Sequence, residues 1–324
     1  MTGSLDNKRD QGSLIRPTCA LLMIVTPPEL PIAEFTIKAL KKCNEIPEFS
    51  IVIFANGLDQ SGESELQTWA ERLRNAVVLS NREKIEREKN SFHIGEEYTT
   101  ALGRRELRVG PYESAPEIWE RELQRLDADI VGIIDPDFEI LNIEFLPVMI
   151  DAFRANPRLG FMSVNYSPET SAFDSYSQTW ATIAERHHTW FCLYLGEALK
   201  READFSYYEQ KRGEEVIKFD HAARLQEVLR RNHNYHGAVL DRKWSWAFVH
   251  YHAFAQNRTL TGGWLRAYRF LKIGAATGWF SAHRVKYVVW PVKLLSRIGN
   301  RLLGLSRYDR ERSRYRFESS ACLT

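Results

Sequence analysis

Two carboxylates that stand two residues apart follow a short apolar run near the middle of the chain. The run covers 130–134 with the sequence Ile-Val-Gly-Ile-Ile, and Asp135-Pro136-Asp137 comes directly after it. Because the run is short, rich in β-branched residues and without helical spacing, it predicts a strand that is buried on both faces of a sheet. Proline stops the hydrogen-bond ladder, so Asp135 and Asp137 are expected to project from the strand's carboxyl end.

Such a pair of carboxylates can bind a hard divalent cation. In open α/β sheets, ligands bind in the crevice beyond the carboxyl ends of the strands. Two oxygen ligands there suit Mg²⁺ or Mn²⁺, which commonly complete their coordination shell with the phosphates of a substrate. The alternative is structural, because Asp-x-Asp is a common tripeptide and a strand-ending Asp-Pro is often only a turn.

The residues around this motif alternate between buried apolar runs and segments with helical spacing. The order before the motif is β-α-β-α-β, which is the signature of a parallel sheet. The predicted strands are 20–25, 49–54, 76–79, 130–134, 159–164 and 236–240, and the predicted helices are 31–43, 64–73, 116–126, 145–153 and 220–231.

Two of the predicted strands end in turn-forming residues. Thr26-Pro27-Pro28 follows the first strand, and Ala55-Asn56-Gly57 ends the second. These strand ends either contact a nucleotide or are simply tight turns. The segment 81–111 leaves a similar choice between a solvated surface and cations that face a diphosphate. Its cations include Arg82, Lys84, Arg87, Lys89, Arg104, Arg105 and Arg108.

Asp220 stands at the start of the predicted helix 220–231, where a carboxylate caps backbone amides and suits the helix dipole. That structural role alone can account for the presence of Asp220.

Seven of the nine histidines fall within 187–252, a stretch that is also rich in aromatic residues. Each histidine by itself is best explained as a polar loop residue or a partly buried imidazole, and the aromatic residues either fill the core or stack on sugar faces.

The composition limits the class of protein. Of 324 residues, 44% are hydrophobic and 27% charged, which is typical of a globular protein. A net charge of +2 argues against a nucleic-acid binder. Four scattered cysteines show neither zinc nor redox spacing and fit a reducing, cytoplasmic compartment. The polar start lacks a signal peptide's apolar core, and no run of about 18 apolar residues predicts a membrane span.

The C-terminal part is strongly basic. Between Trp264 and Phe317 there are 13 Lys or Arg residues and two acids. Basic and apolar residues alternate there with tryptophans, which is typical of an amphipathic helix on an anionic membrane surface. The rival interpretation is a set of helices that pack on the rest of the chain and expose a solvated basic face. The first would place the protein peripherally on the inner face of the membrane.

In order and spacing, three segments resemble the GT-A glycosyltransferases of the family 2 type, which are nucleotide-diphospho-sugar transferases. Asp135-Pro136-Asp137 is similar to that family's Asp-x-Asp motif. The segment 219–225, Phe-Asp-His-Ala-Ala-Arg-Leu, resembles its acidic residue that opens a helix under the acceptor site. The segment 249–253, Val-His-Tyr-His-Ala, resembles the histidine-containing strand end that returns to the metal. The ordered set is more specific than any one motif.

The resemblance implies a role for each matching residue. Asp137 would bind the metal directly, and Asp135 would contact the ribose, or the metal through water. His250 would be the third metal contact, with His252 as the alternative. Asp220 would be the general base that deprotonates the acceptor hydroxyl. The pocket for the base and ribose would be lined by Thr26, Pro27, Asn56 and Gly57.

The implied fold is a mostly parallel, Rossmann-like α/β sheet of GT-A type, flanked by helices and followed by a basic helical extension. The implied activity is Mn²⁺- or Mg²⁺-dependent transfer of a sugar, of hexosyltransferase type, from a UDP- or GDP-linked donor. The acceptor would be a glycan, a lipid-linked sugar or a small molecule, as in polysaccharide or glycoconjugate biosynthesis. Asp220 as base implies inversion at the anomeric carbon, whereas a retaining enzyme would not need it. One departure bears on that role, because Phe219 stands where many relatives carry a second acid.

Two other functions compete with this one. A catalytically silent sugar- or nucleotide-binding scaffold of the same fold would keep the architecture without the activity. A nucleotidyltransferase usually has a Gly-rich, basic loop straight after the first strand, where this chain has Thr26-Pro27-Pro28.

The expected domain organisation has four parts: a disordered leader at 1–16, a catalytic domain at 17–262, a basic helical extension at 263–310, and a disordered tail at 311–324. Within the catalytic domain, the nucleotide-sugar half is expected at about 17–140 and the acceptor half at about 141–262.

Overall fold

The protein is built around a central sheet of eight strands. The computed structural model describes residues 18–46, 49–88, 97–99, 105–107, 112–174, 179–213, 215–250 and 316–318. The strands of this sheet are β1 (Cys19–Val25), β2 (Phe49–Ala55), β3 (Ala76–Ser80), β6 (Ile130–Ile134), β8 (Leu159–Ser163), β13 (Phe191–Leu195), β16 (His236–Val239) and β18 (Arg316–Glu318). The remaining strands are β4 (Glu97–Thr99), β5 (Arg105–Leu107), β7 (Phe138–Ile140), β9 (Tyr166–Ser167), β10 (Thr170–Asp174), β11 (Thr179–Ile183), β12 (Arg186–His187), β14 (Tyr208–Arg212), β15 (Glu215–Phe219) and β17 (Phe248–His250).

The strand order of the central sheet is β18-β16-β8-β13-β6-β1-β2-β3. Neighbours pair in parallel from β6 through β1 and β2 to β3, and β16 pairs in parallel with β8. Only β13 and β18 run the other way, each antiparallel to its neighbours. The sheet is therefore mostly parallel, as predicted, and the carboxyl ends of β1, β2, β3 and β6 lie along one edge.

Helices cover both faces of this sheet. Successive residues of β1 alternate between two buried clusters, with Leu21 and Met23 in one and Leu22 and Ile24 in the other. Burial of each such side chain stabilises the fold by about 1.5–3 kcal/mol. The helices are α1 (Leu30–Leu40), α2 (Gln60–Ala70), α3 (Arg82–Glu88), α4 (Ala115–Leu123), α5 (Phe145–Ala155), α6 (Gly196–Arg201) and α7 (Ala223–His233). Buried apolar residues of α1, α2 and α5 belong to the first cluster, and buried apolar residues of α4, α6 and α7 belong to the second.

Local backbone chemistry shifts two predicted helix starts. The helix predicted at 64–73 begins at Gln60, because Asp59 caps it by accepting a hydrogen bond from the Gly62 amide at 2.8 Å. The helix predicted at 220–231 begins only at Ala223, because Ala222 has a left-handed backbone with φ of +66°. Asp220 therefore lies in the turn before the helix.

A second sheet was not predicted from the sequence. It has four strands in the order β10-β11-β15-β14. Short strands in an aromatic-rich stretch give too weak an alternation to be recognised. Its strand β15 ends directly before Asp220, so this small sheet positions the predicted base.

The predicted leader at 1–16 and the predicted basic extension at 263–310 lie outside the described residues. Within the segment predicted as a disordered tail, β18 instead forms an edge strand on β16. The open backbone groups of an edge strand can pair with a further strand, which explains this difference. Among the helices that the structure describes, none combines the length and apolar character needed to cross a bilayer.

Candidate metal centre

The turn Asp135-Pro136-Asp137 follows β6 and is held from three sides. The Asp135 amide donates a hydrogen bond to the Trp190 carbonyl oxygen at 2.8 Å. The Thr36 hydroxyl, fully buried on α1, donates to the Pro136 carbonyl at 2.6 Å. The Phe138 amide closes the turn on the Asp135 carbonyl at 3.1 Å. These bonds fix both carboxylates at the end of a strand whose five residues are all buried.

Backbone pairing brings His250 to this turn. Strand β17 pairs antiparallel with β7, and the register places His250 opposite Phe138, the residue after Asp137. The His250 Nε2 atom lies 3.0 Å from Asp137 Oδ1 and 3.4 Å from Asp135 Oδ2. The possible ligand atoms of the three residues all lie within 4.8 Å of one another. The structure thus brings together the three residues predicted to surround a metal, while the alternative, His252, lies outside the described residues.

The electrostatics of this cluster favour added positive charge. Burial alone lowers the pKa of His250, but its hydrogen bonds to Asp135 and Asp137 and their charges outweigh burial and raise that pKa to about 9. Burial raises the pKa of Asp135, and the charge of Asp137 adds to this, while His250 opposes it. Two carboxylates and one imidazole are a donor set that fits Mn²⁺ well and Mg²⁺ less well, so the cluster can hold such an ion.

Aromatic rings support the imidazole. The ring of His250 stacks on the indole of Trp190, with centroids 4.2 Å apart and an angle of 23°. The ring of His188 lies 4.5 Å from the same indole at 32°. The indole of Trp190, which is half-buried, is therefore in contact with two imidazole rings. Phe191, Tyr194, Tyr207 and Trp244 are buried and fill the core.

Thr26 and Glu29 lie in the turn that follows β1. The Thr26 hydroxyl and amide both donate to Glu29 Oε2, at 2.6 and 3.1 Å. Burial raises the pKa of Glu29 to about 7, the hydrogen bonds from Thr26 oppose this, and the charges of Asp135 and Asp137 add to it. Pro27 is exposed beside them. A carboxyl that exchanges a proton near neutral pH therefore lies within electrostatic reach of the cluster.

Asn56 is buried and binds the loop before α4. Its Nδ2 donates to the Glu113 carbonyl at 2.9 Å, and its Oδ1 accepts from the Glu113 amide at 2.9 Å and from Asn81 Nδ2 at 2.8 Å. Gly57 follows with a φ of +71°, and its amide donates to Asn81 Oδ1 at 2.9 Å. These contacts favour the interpretation that the side chain of Asn56 holds a tight turn over the interpretation that it contacts a nucleotide. Asn81 was missed, although its position directly after a predicted strand was a usable signal.

Two of the described cations of 81–111, Arg82 and Lys84, pair with acids. Arg82 binds Glu63 with N–O separation of 2.7 Å, and Lys84 lies 3.3 Å from Glu113. Glu113 also pairs with Arg121 at 2.7 Å. These ion pairs favour the interpretation that Arg82 and Lys84 belong to a solvated surface over the interpretation that they face a diphosphate. Lys89, Arg104 and Arg108 lie outside the described residues.

Asp220 is bound by an arginine that the sequence did not reveal. Its Oδ2 forms an ion pair with Arg186, and its Oδ1 accepts a hydrogen bond from the His221 amide at 2.7 Å. The two side chains are 31% and 25% exposed. Both oxygens of the carboxylate are therefore engaged, and its negative charge is balanced.

One short segment joins Asp220 to the metal cluster. We call 186–190 the linking segment, because Arg186 at one end binds Asp220 and Trp190 at the other contacts His250. Gln226 of α7 fixes its middle, since it accepts from the His187 amide at 2.9 Å and donates to the His187 carbonyl at 2.8 Å. Four residues span at most about 14 Å when extended, so the Cα atoms of Arg186 and Trp190 lie within that distance of each other.

Comparison with known proteins gives distant structural likenesses. No protein-family model matches the chain, and no curated protein matches it. It is similar to a mannosyltransferase of Pyrobaculum calidifontis in complex with GDP-Man and Mn²⁺, with 14% identity over 89% of this chain and 88% of that chain, at a TM-score of 0.37. It is similar to mouse xyloside xylosyltransferase 1, with 12% identity over 70% and 86%, at a TM-score of 0.39. A third likeness is to a CMP:2-keto-3-deoxy-manno-octonic acid synthetase complexed with CTP, with 10% identity over 67% and 99%, at a TM-score of 0.34.

Since all these TM-scores lie below 0.5, the fold is defined here by its own strand order. The chemistry of the site rests on the contacts of this chain's residues.

Proposed function

We propose that this protein is a divalent-metal-dependent glycosyltransferase that moves a sugar from a nucleotide-diphospho-sugar to an acceptor hydroxyl. The observation that carries the proposal is the convergence of Asp135, Asp137 and His250 within 4.8 Å at the carboxyl end of a parallel strand. Ligands of open α/β sheets bind at that edge, and the phosphates of a nucleotide commonly complete the shell of such an ion.

In the proposed site, Asp137 and His250 hold Mn²⁺ or Mg²⁺, and Asp135 contacts the metal or the ribose. When bound, the ion neutralises charge that develops on the departing diphosphate. Thr26, Pro27 and Gly57 lie at the ends of β1 and β2, and we assign them to the pocket for the base and ribose. Asn56 shapes this pocket by holding its loop. The donor is proposed to be UDP- or GDP-linked, and the transferred sugar a hexose.

We assign Asp220 as the general base, with inversion at the anomeric carbon. Arg186 supports part of this role, because a paired guanidinium keeps the carboxylate ionised and able to accept a proton. Each oxygen of an ionised carboxylate has two lone pairs, so Arg186 and the His221 amide leave positions on Asp220 that the acceptor hydroxyl would have to reach.

The proposed compartment is the cytoplasm. Cys19, Cys43 and Cys192 are all free and buried, which agrees with a reducing environment. The proposed acceptors are glycans, lipid-linked sugars or small molecules. Association with an anionic membrane would depend on the basic segment 263–310, which lies outside the described residues.

The test is release of nucleoside diphosphate from a panel of UDP- and GDP-sugars, with Mn²⁺, Mg²⁺ or EDTA. We expect the wild-type chain to release one nucleoside diphosphate only when metal is present. Asp137→Asn should abolish that release. The matched control is Asp151→Asn, which removes a carboxylate that pairs with Arg154 on the outer side of α5 and should leave release unchanged.

Two results would contradict the proposal. Binding of a nucleotide sugar without any turnover would favour the silent scaffold. Release of pyrophosphate from a nucleoside triphosphate, with no release of diphosphate from sugar donors, would favour the nucleotidyltransferase.

A further inference from the structure

We propose that Trp190 is a positioning residue for the metal centre, which holds the imidazole of His250 with Nε2 facing the two carboxylates. This inference rests on the proposed function, because it gives the indole a purpose only if Asp135, Asp137 and His250 hold a metal ion. It assigns to Trp190 no contact with the ion itself.

The first support is the stacking geometry. With centroids 4.2 Å apart and ring planes only 23° apart, the imidazole of His250 lies flat on the indole. Rotation of that ring toward an edge-on position would drive its atoms into the indole, since carbon atoms repel one another below about 3.5 Å. The indole therefore removes the rotation that would turn Nε2 away from Asp137. Neighbouring groups that orient a ligating histidine are a general feature of metal sites.

The second support is that the indole is itself held in place. The ring of His188 lies 4.5 Å from the indole, and His188 Nε2 is 2.7 Å from the Ser167 hydroxyl. The indole therefore also contacts a second ring, which is itself hydrogen-bonded to strand β9, and this contact restricts its movement.

The third support is that Trp190 also contacts the other side of the cluster. Its carbonyl oxygen accepts the Asp135 amide at 2.8 Å. One residue thus fixes the backbone of Asp135 and the ring of His250. Because all substitutions keep the carbonyl, side-chain variants test the ring contact alone.

A purely structural role would also place an aromatic residue here, since Trp190 packs against the larger hydrophobic cluster. The two roles differ in what they predict for metal affinity. Trp119 offers a matched control, because it is a buried indole that packs on Phe205 at 5.7 Å within the other cluster. Its loss should cost stability without changing the metal centre.

The experiment is a Mn²⁺ titration of the full chain without nucleotide, in which free Mn²⁺ is followed by electron paramagnetic resonance below the melting temperature of every variant. We expect Trp190→Ala to raise the Kd for Mn²⁺ by about 10–100-fold, as is usual when a group that orients a ligand is lost. Trp190→Phe, which keeps a flat ring, should restore most of the affinity. Trp190→Leu, which keeps apolar volume and is the fallback if the alanine variant does not fold, should bind as weakly as Trp190→Ala. Trp119→Ala should bind like the wild type.

Two outcomes overturn the inference. If Trp190→Leu or Trp190→Ala is less stable but binds Mn²⁺ like the wild type, Trp190 is only structural and the proposed function stands. If the wild-type chain binds no Mn²⁺ in this titration, the inference is wrong, whereas the metal-dependent function is decided separately by the release of nucleoside diphosphate with Mn²⁺, Mg²⁺ or EDTA.

Discussion

The metal cluster and the surroundings of Asp220 both present carboxylates, but they differ in charge balance and in burial. Asp135 and Asp137 share one imidazole, and the side chains of Asp137 and His250 are only 9% and 7% exposed, while that of Asp135 is 28% exposed. Asp220 has a guanidinium of its own and is 31% exposed. A divalent ion would relieve the excess negative charge at the first site, whereas the second is already neutral. The difference agrees with the proposed roles, which are a cation at the first site and a polar acceptor at the second.

The two regions also differ in the elements that hold them. The Asp135-Pro136-Asp137 turn is tied to a buried strand, to α1 and to the linking segment. Asp220 lies between a strand of the small sheet and α7, two residues before Ala222, which has a left-handed backbone.

Asp137→Ala should have the largest effect on activity. It removes one of two carboxylates that we assign to the metal, so kcat/KM should fall at least about 10³-fold, which equals about 4 kcal/mol of transition-state stabilisation. Without metal, thermal unfolding should stay close to that of the wild type. If the variant loses its folded structure and not only its activity, the two carboxylates stabilise the fold.

The second-largest effect on activity is expected for Asp220→Asn, which tests the region of Asp220 separately from the metal cluster. If Asp220 is the base, kcat should fall by about 10²–10⁴-fold while metal-dependent binding of nucleotide is kept. Steady-state kinetics and nucleotide titrations measure both. Loss of nucleotide binding together with kcat would mean that Asp220 and Arg186 serve the donor.

The linking segment between the regions should respond to pH. Burial, then the charges of Arg230 and His188, lower the pKa of His187 to about 3. Because the folded pKa lies below the unfolded value of 6.5, the unfolded state binds the proton first and stability falls as pH drops below 6.5. The free energy of unfolding should lose about 2 kcal/mol between pH 7.5 and 5 from this residue.

Urea unfolding of His187→Gln provides the comparison. The difference between wild type and variant should shrink by that amount over the same pH range. A difference that does not change with pH would contradict a buried neutral imidazole in the linking segment.

Thr36→Val should have the smallest effect. The substitution keeps the shape of a fully buried side chain but removes the donor to the Pro136 carbonyl. Unfolding should become easier by about 1–3 kcal/mol, because a buried acceptor loses its partner. Urea unfolding measures this, and Thr36→Ser should recover most of the loss. Equal stability of the valine variant would show that α1 does not hold the turn.

The sequence predicted the parts of this site that are encoded locally. Asp135 and Asp137 follow a buried apolar run, and a strand that ends in proline can be recognised from the sequence without any knowledge of tertiary contacts. His250 was predicted from its place in an ordered set of motifs, and its pairing with the turn is formed by β17 and β7. Six of the eight strands of the main sheet were predicted for the same reason, because buried parallel strands are continuous apolar runs. The two antiparallel strands, β13 and β18, were not predicted.

The missed contacts depend on residues that are far apart along the chain. Arg186 meets Asp220 across 34 positions, and Thr36 reaches Pro136 across 100. A single sequence gives no signal that two such residues are in contact, because each of them alone is also compatible with an exposed surface or with a helix. Trp190 was predicted only as one of several aromatic residues, because its proposed role depends on contact with His250, which is 60 positions away along the chain.

The most direct test of the central claim is a thermal shift measurement with nucleoside diphosphates, with and without Mn²⁺. A ligand that binds only the native state raises the melting temperature by mass action. We predict that UDP or GDP stabilises the chain in Mn²⁺, that EDTA removes the shift, and that Asp137→Asn shows none. If neither the metal nor any nucleoside diphosphate shifts the melting temperature, the cluster of Asp135, Asp137 and His250 is not a donor site, and the glycosyltransferase account is contradicted.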